Sequence, residues 1–157
     1  MTNVDVRDAT IDEKPVLRQL LELYCHDFSE LNGADVDERG VYRYPYLDNY
    51  WTEPERHPFL IRVDGRLAGL AFVRAGSPHD MAEFFIMRKY RRGGIGVEAA
   101  RAVFARFPGE WQVRELAANV GAVAFWRRAI LVPFTEDTNH EGPVQHFVMP
   151  ASPHRAQ

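Results

Sequence analysis

The chain has 157 residues, of which 46% are hydrophobic, 26% charged and 12% aromatic, which is the composition of one ordinary globular domain. This composition excludes a disordered chain, a collagen-like repeat and a simple coiled coil. The net charge of -3 has the wrong sign for a general nucleic-acid binder, so we expect no nucleic-acid partner. The single cysteine, Cys25, excludes an intrachain disulfide.

The two halves of the chain differ in charge. Residues 1–80 carry a net charge of -6 and residues 81–157 a net charge of +3, which suits a cation site in the first half and an anion site in the second. No apolar run approaches the roughly 20 residues that cross a bilayer, and the acidic start is not typical of a signal peptide. We therefore expect a cytoplasmic protein with no membrane partner. It would have one domain in residues 1–150 and a short tail in residues 151–157.

Hydrophobic periodicity predicts the secondary structure in chain order. Val4 and Val6 alternate with charged residues in a first strand, and a helix over 13–30 then ends at Gly33. The segment 34–56 is irregular. The remaining predicted elements are strands over 59–63, 67–73 and 82–87, a helix over 97–107, a strand over 111–116, a helix over 122–131 and a last strand over 145–149.

This order of elements indicates the fold class. The turn Asp64-Gly65 joins two strands as a hairpin, whereas strands and helices alternate later in the chain. No repeat or linker divides the sequence into separate domains. We therefore predict the α/β (α+β) class, with a mixed, mostly antiparallel central sheet and helices on both of its faces.

The most specific motif is the turn Tyr90-Arg91-Arg92-Gly93-Gly94-Ile95-Gly96-Val97, which lies between a predicted strand and a predicted helix. Glycines let backbone amides approach a ligand closely, and a helix start adds free N–H groups and the positive end of the helix dipole. Arg88, Lys89, Arg91 and Arg92 add positive charge. The turn therefore predicts a binding site for a phosphorylated ligand.

Two known kinds of phosphate loop can be compared with this turn. No Gly-Lys-Ser/Thr sequence ends it, which excludes a nucleoside-triphosphate loop. Gly94-x-Gly96-x-x-Ala99 fits the loose dinucleotide fingerprint, with Glu115 about 20 residues on, and this leaves a nicotinamide-dependent oxidoreductase as a distant alternative. Against that alternative, five residues separate the strand from the glycines, and too little sequence remains for a second domain.

The turn instead resembles the signature of the GNAT superfamily of N-acetyltransferases, Arg/Gln-x-x-Gly-x-Gly/Ala, which Arg91, Gly94 and Gly96 match. A second family element is an Asn followed by a helix with an aromatic residue seven positions later, and Asn119 and Trp126 match it. The run 82–92 looks like an uncharacterised subgroup of predicted acetyltransferases. The resemblance covers roughly residues 4–149 and implies the acyl-CoA N-acyltransferase fold.

The resemblance implies acetyl-coenzyme A as cosubstrate, no metal, and a homodimer as a further expectation. The residues that it assigns to the cofactor are Ile86, Met87, Arg91, Arg92, Gly93, Gly94, Ile95, Gly96, Val97, Asn119 and Trp126. Amides from Arg92 to Val97 would hold the pyrophosphate, and a backbone N–H near Ile86 or Met87 would polarise the thioester carbonyl. The six histidines also lack the spacing of metal ligands.

Acetyl transfer to an amine requires a neutral amine nitrogen. An alkyl ammonium of pKa about 10.4 is neutral in roughly one molecule per thousand at pH 7, so a general base assists the reaction. Glu83 is the predicted base, because it lies on the strand that enters the glycine turn, where similar enzymes place one.

Trp126 departs from the family pattern, because many relatives have there a Tyr that protonates the leaving sulfur. Indole cannot act as that acid. The departure leaves a catalytically silent module that binds coenzyme A as the alternative function.

The irregular segment lies where relatives have part of the acceptor site. Residues 27–55 contain eight acidic and two basic residues, together with Tyr42, Tyr44, Tyr46 and Tyr50. Carboxylates and aromatic rings suit an ammonium group, through charge pairing and cation–π contact. The predicted activity is transfer of an acetyl group from acetyl-coenzyme A directly to a primary amine, that of a cationic small molecule.

Overall fold

The computed structural model describes residues 2–151, so residues 152–157 of the predicted tail lie outside the described residues. The strands are β1 (Val4–Asp8), β2 (Arg56–Val63), β3 (Arg66–Arg74), β4 (His79–Ile86), β5 (Gly109–Arg114), β6 (Phe134–Thr138) and β7 (Pro143–Met149). The helices are α1 (Lys14–Asn32), α2 (Ile95–Phe104) and α3 (Val120–Ala129). Short 3₁₀ turns at Ile11–Glu13, Leu47–Trp51 and Arg88–Tyr90 connect them.

The seven strands form one sheet in the order β1-β2-β3-β4-β5-β7-β6. All neighbouring strands are antiparallel except β4 and β5, which are parallel. Alternate residues of the strands face opposite sides, and each side packs against helices. The predicted class, a mixed and mostly antiparallel sheet with helices on both faces, is therefore confirmed.

Helix α1 covers one face of the sheet. Pro15 lies in its first turn, and Gly33 ends it in the left-handed conformation, with φ of 72°. Its buried leucines pack against strand residues that all face this side of the sheet: Leu17, Leu20 and Leu21 of the helix with Leu60, Leu70 and Phe72. Helices α2 and α3 pack on the opposite face around Trp111 and Phe104.

Two elements differ from the predictions. Strand β6 was not predicted, because Thr135, Glu136 and Asp137 are exposed and do not alternate with apolar residues. It forms through pairing with β7 at the edge of the sheet. Helix α2 ends at Phe104, three residues before the predicted end.

The feature that positions the site is a split in the sheet between β4 and β5. These two strands pair only at His79 with Trp111 and at Asp80 with Gln112. Beyond these pairs β4 continues to Ile86 along β3, and β5 continues to Arg114 along β7. The two strands therefore diverge and leave a cleft that opens towards the start of α2.

Candidate active site

A cleft of about 1260 Å³ occupies the split in the sheet. Its walls come from parts of the chain that are far apart in sequence. They include the second half of α1, the end of β4, the glycine turn, the residues that follow β5, and the first turns of α3, together with Tyr44 and Glu141. The cleft therefore brings together Glu83, the glycine turn, Asn119 and Trp126, as the sequence predicted from separate motifs.

The glycine turn presents its backbone at one end of the cleft. Arg92, Gly93 and Gly94 all have positive φ, at 81°, 76° and 82°. The first hydrogen bond of α2 runs from the Glu98 N–H to the Gly94 carbonyl, at 3.0 Å. The amides before Glu98 have no partner within the helix, so they form the exposed positive end of its dipole.

Two residues of this turn show why it is built from glycine. A Cβ atom on Gly96 would lie 3.0 Å from the Phe125 ring and 3.7 Å from Ile86, so α2 approaches α3 closely here. A Cβ on Gly94 would meet nothing within 4 Å, but its left-handed conformation disfavours other residues. The Ile95 side chain packs on the core, so only its amide serves the turn. Val97 lines the cleft.

Arg91 connects the glycine turn to β4 and α1. Its Nε donates to the Ile86 carbonyl at 2.8 Å, and its guanidinium pairs with Asp27 of α1 at 2.6 Å. Arg88 pairs with the same carboxylate at 2.9 Å. The guanidinium of Arg91 therefore positions the turn against β4 and α1, in addition to lining the cleft.

The unpaired edge of β4 faces the cleft. The Met87 N–H donates to the Ala68 carbonyl of the neighbouring chain segment at 2.8 Å, so it is not available for a thioester carbonyl. This corrects one of the two positions that the sequence predicted for that role. Because amide direction alternates along a strand, the N–H groups of Phe84 and Ile86 point away from β3 and into the split. Ile86 stays the predicted donor.

Glu83 lies in the cleft with its carboxyl held from α1. The Tyr24 hydroxyl donates to Glu83 Oε2 at 2.5 Å. The pKa of the Glu83 carboxyl is raised to about 7, chiefly by burial and also by the negative charge of Asp80. Hydrogen bonds from Tyr24 and Tyr44 and the positive charge of Arg114 lower the same pKa. A carboxyl with this pKa is available as a proton acceptor at neutral pH.

Tyr24 is a site residue that sequence reasoning did not find. It lies 59 positions before Glu83, on the apolar stripe of α1, and its spacing marks it only as a core residue. Burial and the nearby Glu83 carboxylate raise the pKa of its hydroxyl well above the ordinary value. Tyr24 therefore stays protonated and keeps donating to Glu83.

The four tyrosines predicted for the acceptor site do not lie together in the cleft. Tyr44 lines the cleft. Tyr50 is only 2% exposed and packs on Phe72 in the core, and Tyr46 lies outside, against Tyr44 and Arg56. The Tyr42 hydroxyl is bonded to His26 at 3.1 Å on the outer side of α1. The prediction is therefore corrected to Tyr44 alone.

Half of the eight acidic residues of segment 27–55 form ion pairs with basic residues of the protein. Arginines and a lysine pair with four of them: Asp27 with Arg88 and Arg91, Asp37 with Arg43, Asp48 with Lys14, and Glu53 with Arg56. The acidic residues of the segment that line the cleft are Asp27 and Glu30. The segment as a whole is not an acidic lid.

Asn119 and Trp126 have structural tasks in α3. The Asn119 Oδ1 accepts from the Ala122 N–H at 3.1 Å and so caps the helix start at the cleft. Trp126 is 6% exposed and packs edge-on against Phe84 and next to Phe104. Trp126 is thus a packing residue, and it also lines the cleft.

Further features bear on the class of site. Over residues 2–151 no group of three or more His, Cys, Asp or Glu side chains is placed to hold a metal ion. Within that same range, every helix is too short or too polar to cross a membrane. Burial and nearby carboxylates raise the pKa of the Cys25 thiol to about 11, which makes it a poor nucleophile.

Comparison with known proteins identifies the class. The chain matches the model of the Acetyltransferase (GNAT) family over residues 17–130, so it belongs to the GNAT acetyltransferase family. None of the curated proteins compared with the chain matches it.

Solved structures share the fold at low sequence identity. An acetyltransferase from Thermus thermophilus is 19% identical with a TM-score of 0.70, over 94% of this chain and 97% of that one. The PaiA N-acetyltransferase from Thermoplasma acidophilum, in complex with coenzyme A, is 11% identical with a TM-score of 0.63, over 93% and 99%. An aminoglycoside acetyltransferase, also in complex with coenzyme A, is 16% identical with a TM-score of 0.68, over 93% and 95%.

Proposed function

We propose that this protein transfers an acetyl group from acetyl-coenzyme A directly to a primary amine, with Glu83 as the general base. The observation that carries the proposal is that one cleft holds both parts of the chemistry. The free amides of the glycine turn lie at its end, and a carboxyl of pKa about 7 lies beside the unpaired edge of β4.

The residues at the glycine turn fit the pyrophosphate of the cosubstrate. The amides of residues 92–97 lie at the positive end of α2, and a Cβ atom on Gly96 would crowd the Phe125 ring at this point. Arg88 and Arg92 add positive charge at the same end of the cleft. The bound cosubstrate supplies the acetyl group activated as a thioester.

The chain's own residues manage the proton of the amine. An acceptor enters mostly as its ammonium, and the Glu83 carboxylate takes a proton from the nitrogen, so that the lone pair is free to attack. Tyr24 and Tyr44 orient this carboxyl and favour its charged form. The Ile86 N–H, directed into the split, can stabilise negative charge on an oxygen there.

For the acceptor we propose a small cationic amine. The carboxylates of Glu83, Glu30 and Glu141 line the cleft, and so does Tyr44, which suits an ammonium group. The family does not decide the acceptor, because one structural neighbour is an aminoglycoside acetyltransferase and another is a ribosomal-protein-S18-alanine N-acetyltransferase from Escherichia coli.

The first test is binding of acetyl-coenzyme A, measured by calorimetry and by the shift of the unfolding temperature. We expect Gly94→Glu to weaken binding by at least 100-fold, since it places a negative side chain at the amides. Gly40→Glu is the matched control, because Gly40 has a φ of 77° and equally open surroundings but lies outside the cleft. Ligand at 100 times its dissociation constant should stabilise the wild type by about 2.7 kcal/mol.

The second test is transfer to a panel of amines that includes polyamines, aminoglycosides and lysine peptides, at saturating acetyl-coenzyme A. Release of coenzyme A that depends on an amine supports the proposal. Binding without transfer to any amine would favour the silent coenzyme A-binding module, for which Trp126 is the argument. A temperature shift with NAD in place of acetyl-coenzyme A would contradict both.

A further inference from the structure

Glu115 is a buried carboxyl to which the proposed reaction assigns no role. It follows β5 directly, is only 7% exposed and lines the cleft. Its Oε1 accepts from Gln145 Nε2 at 2.8 Å. Its other oxygen, Oε2, is buried and has no hydrogen-bond partner among the described residues. Buried polar atoms nearly always have a partner, so this oxygen calls for a functional explanation.

Gln145 of β7 holds Glu115 in place, and Glu115 lines the cleft although its Oε2 is itself buried. Gln145 is fully buried and also donates to Glu136 at 2.8 Å, and Glu136 is paired with Arg127 at 2.9 and 2.6 Å. Burial raises the pKa of the Glu115 carboxyl to about 7, and the charge of Glu136 acts in the same direction. The bond from Gln145 and the charge of Arg127 oppose this rise.

The position of Glu115 sets it apart from Glu83. The Glu115 N–H donates to the Pro143 carbonyl at 3.1 Å, so the pairing of β5 continues through this residue. Because side chains alternate along a strand, Glu115 shares a face with Val113, which packs in the core that contains Trp126. Glu83 contacts Tyr24 of α1, on the opposite side of the sheet. The two carboxyls therefore approach the split from its two faces.

The leaving sulfur needs a proton, and the proposed reaction has so far named no group that gives it. The candidate donors are those on the face of the sheet where Trp126 packs. Breaking the thioester releases a thiolate, whose conjugate acid has a pKa of about 8.5 and which is a better leaving group when it is protonated. The indole of Trp126 cannot supply that proton, and Tyr24 is engaged with Glu83. Glu115 lies on that face and lines the cleft.

We propose that Glu115 protonates the sulfur that leaves when the acetyl group is transferred; this inference rests on the proposed function. The nitrogen–carbon bond forms and the carbon–sulfur bond breaks, with its electron pair going to sulfur. The proton of the Glu115 carboxyl moves to that sulfur. The acceptor ammonium loses two protons: Glu83 takes one before the attack and passes it to solvent, and takes the second as the amide forms. Exchange of one proton with solvent at each carboxyl restores both, so the net products are an amide and a thiol.

The first experiment follows the Glu115 carboxyl by ¹³C NMR of protein labelled in the glutamate side chains. Its signal is identified by its loss in Glu115→Gln. Should that variant not fold, Glu83→Gln removes the other glutamate whose pKa is about 7. We expect coenzyme A to change the measured pKa of Glu115 by at least 0.5, and desulfo-coenzyme A, which lacks the sulfur, to leave it unchanged.

Equal changes with the two ligands, or none with either, would overturn the assignment of Glu115 while leaving coenzyme A binding intact. Failure of coenzyme A to bind would instead overturn the proposed function and the Glu115 step together. The two failures are thus told apart by the same titration.

The second experiment compares Glu115→Gln with Glu110→Gln, which makes the same change at an exposed position of β5. We expect Glu115→Gln to lower kcat at least tenfold and to remove the fall of kcat at alkaline pH, without weakening acetyl-coenzyme A binding. A loss of binding affinity with unchanged kcat would mean that Glu115 is only a ligand for the cosubstrate, and the proposal would be wrong.

Discussion

The two ends of the cleft use different chemistry. At the glycine turn, binding capacity resides in backbone amides at a helix start, which do not titrate and depend only on the path of the chain. At Glu83 it resides in a side chain whose pKa is set by burial and by the tyrosines of two distant segments. Under the proposed function, one cleft thus separates the holding of the cosubstrate from the transfer of a proton.

This difference has a measurable consequence. We expect the affinity for acetyl-coenzyme A to change little between pH 6 and pH 8, because the amides keep their charge distribution. The rate of transfer should rise from pH 6 towards pH 7 as Glu83 loses its proton, since the carboxylate is the form that accepts one. It should fall again at higher pH as Glu115 loses the proton that it gives to sulfur.

The largest expected effect is that of Glu83→Gln. The amide side chain cannot accept the proton, so kcat should fall by roughly 10²-fold while the dissociation constant of acetyl-coenzyme A stays within a factor of three. Steady-state kinetics and calorimetry measure the two quantities. Glu30→Gln removes a carboxylate from the same cleft and should leave kcat nearly unchanged. Full activity of Glu83→Gln between pH 6 and pH 9 would exclude Glu83 as the base.

Tyr24→Phe tests how the base is tuned. The Tyr24 hydroxyl lowers the pKa of the Glu83 carboxyl, so its removal should raise that pKa. The acidic limb of the pH–rate profile should then move to higher pH, and the rate at pH 6 should fall by up to about tenfold if the pKa rises by about one. At pH 9 the rate of the variant should equal that of the wild type. A loss of rate that is the same at all pH values would point to a purely structural role for Tyr24.

The variant Glu115→Gln tests whether the pKa of the carboxyl on the other face of the sheet is raised. The measured quantity is the free energy of unfolding. Because the folded state raises the pKa of Glu115 from 4.5 to about 7, the wild type loses stability as pH rises from about 4.5 to 7, and the loss is complete above 7. The variant lacks this loss, so it should be more stable than the wild type at pH 8 by about 2 kcal/mol. At pH 4 the difference should vanish. Denaturant unfolding at both pH values measures it, and an equal difference at both would argue against a raised pKa.

The smallest expected effect is that of Arg92→Gly. Arg92 has a φ of 81°, where a residue with a Cβ is strained, so glycine should stabilise the fold by less than about 1 kcal/mol. Acetyl-coenzyme A affinity should fall only severalfold, because the amide is kept. A loss as large as that expected for Gly94→Glu would show that the cofactor end depends on side-chain charge after all.

The parts of the site that the sequence predicts are those with local signals. The glycine turn is contiguous, so residues 91–97 carry the whole motif, and the helix start follows from the same few positions. Asn119 was found through the family element of an Asn followed by a helix, and it caps α3. Glu83 was found because it lies on the strand that leads into the turn.

The parts that the sequence does not predict depend on contacts between distant segments. Tyr24 acquires its role only when α1 packs on β4, and Met87 loses its amide only through pairing beside β3. The density of tyrosines around Tyr44 did not reveal which ring would face the cleft, because burial of Tyr50 depends on Phe72. Composition indicates which segment lies near the site, but packing decides which of its side chains line the cleft.

The two residue pairs that join β4 to β5 also bear on solubility. A split sheet has two additional strand edges inside the molecule, and unpaired strand edges are the places where protein chains associate into aggregates. Here the starts of α2 and α3 line the cleft between the two edges. Under the proposed function the bound cosubstrate fills this cleft, so we expect its binding to cover both edges and to reduce self-association of the chain.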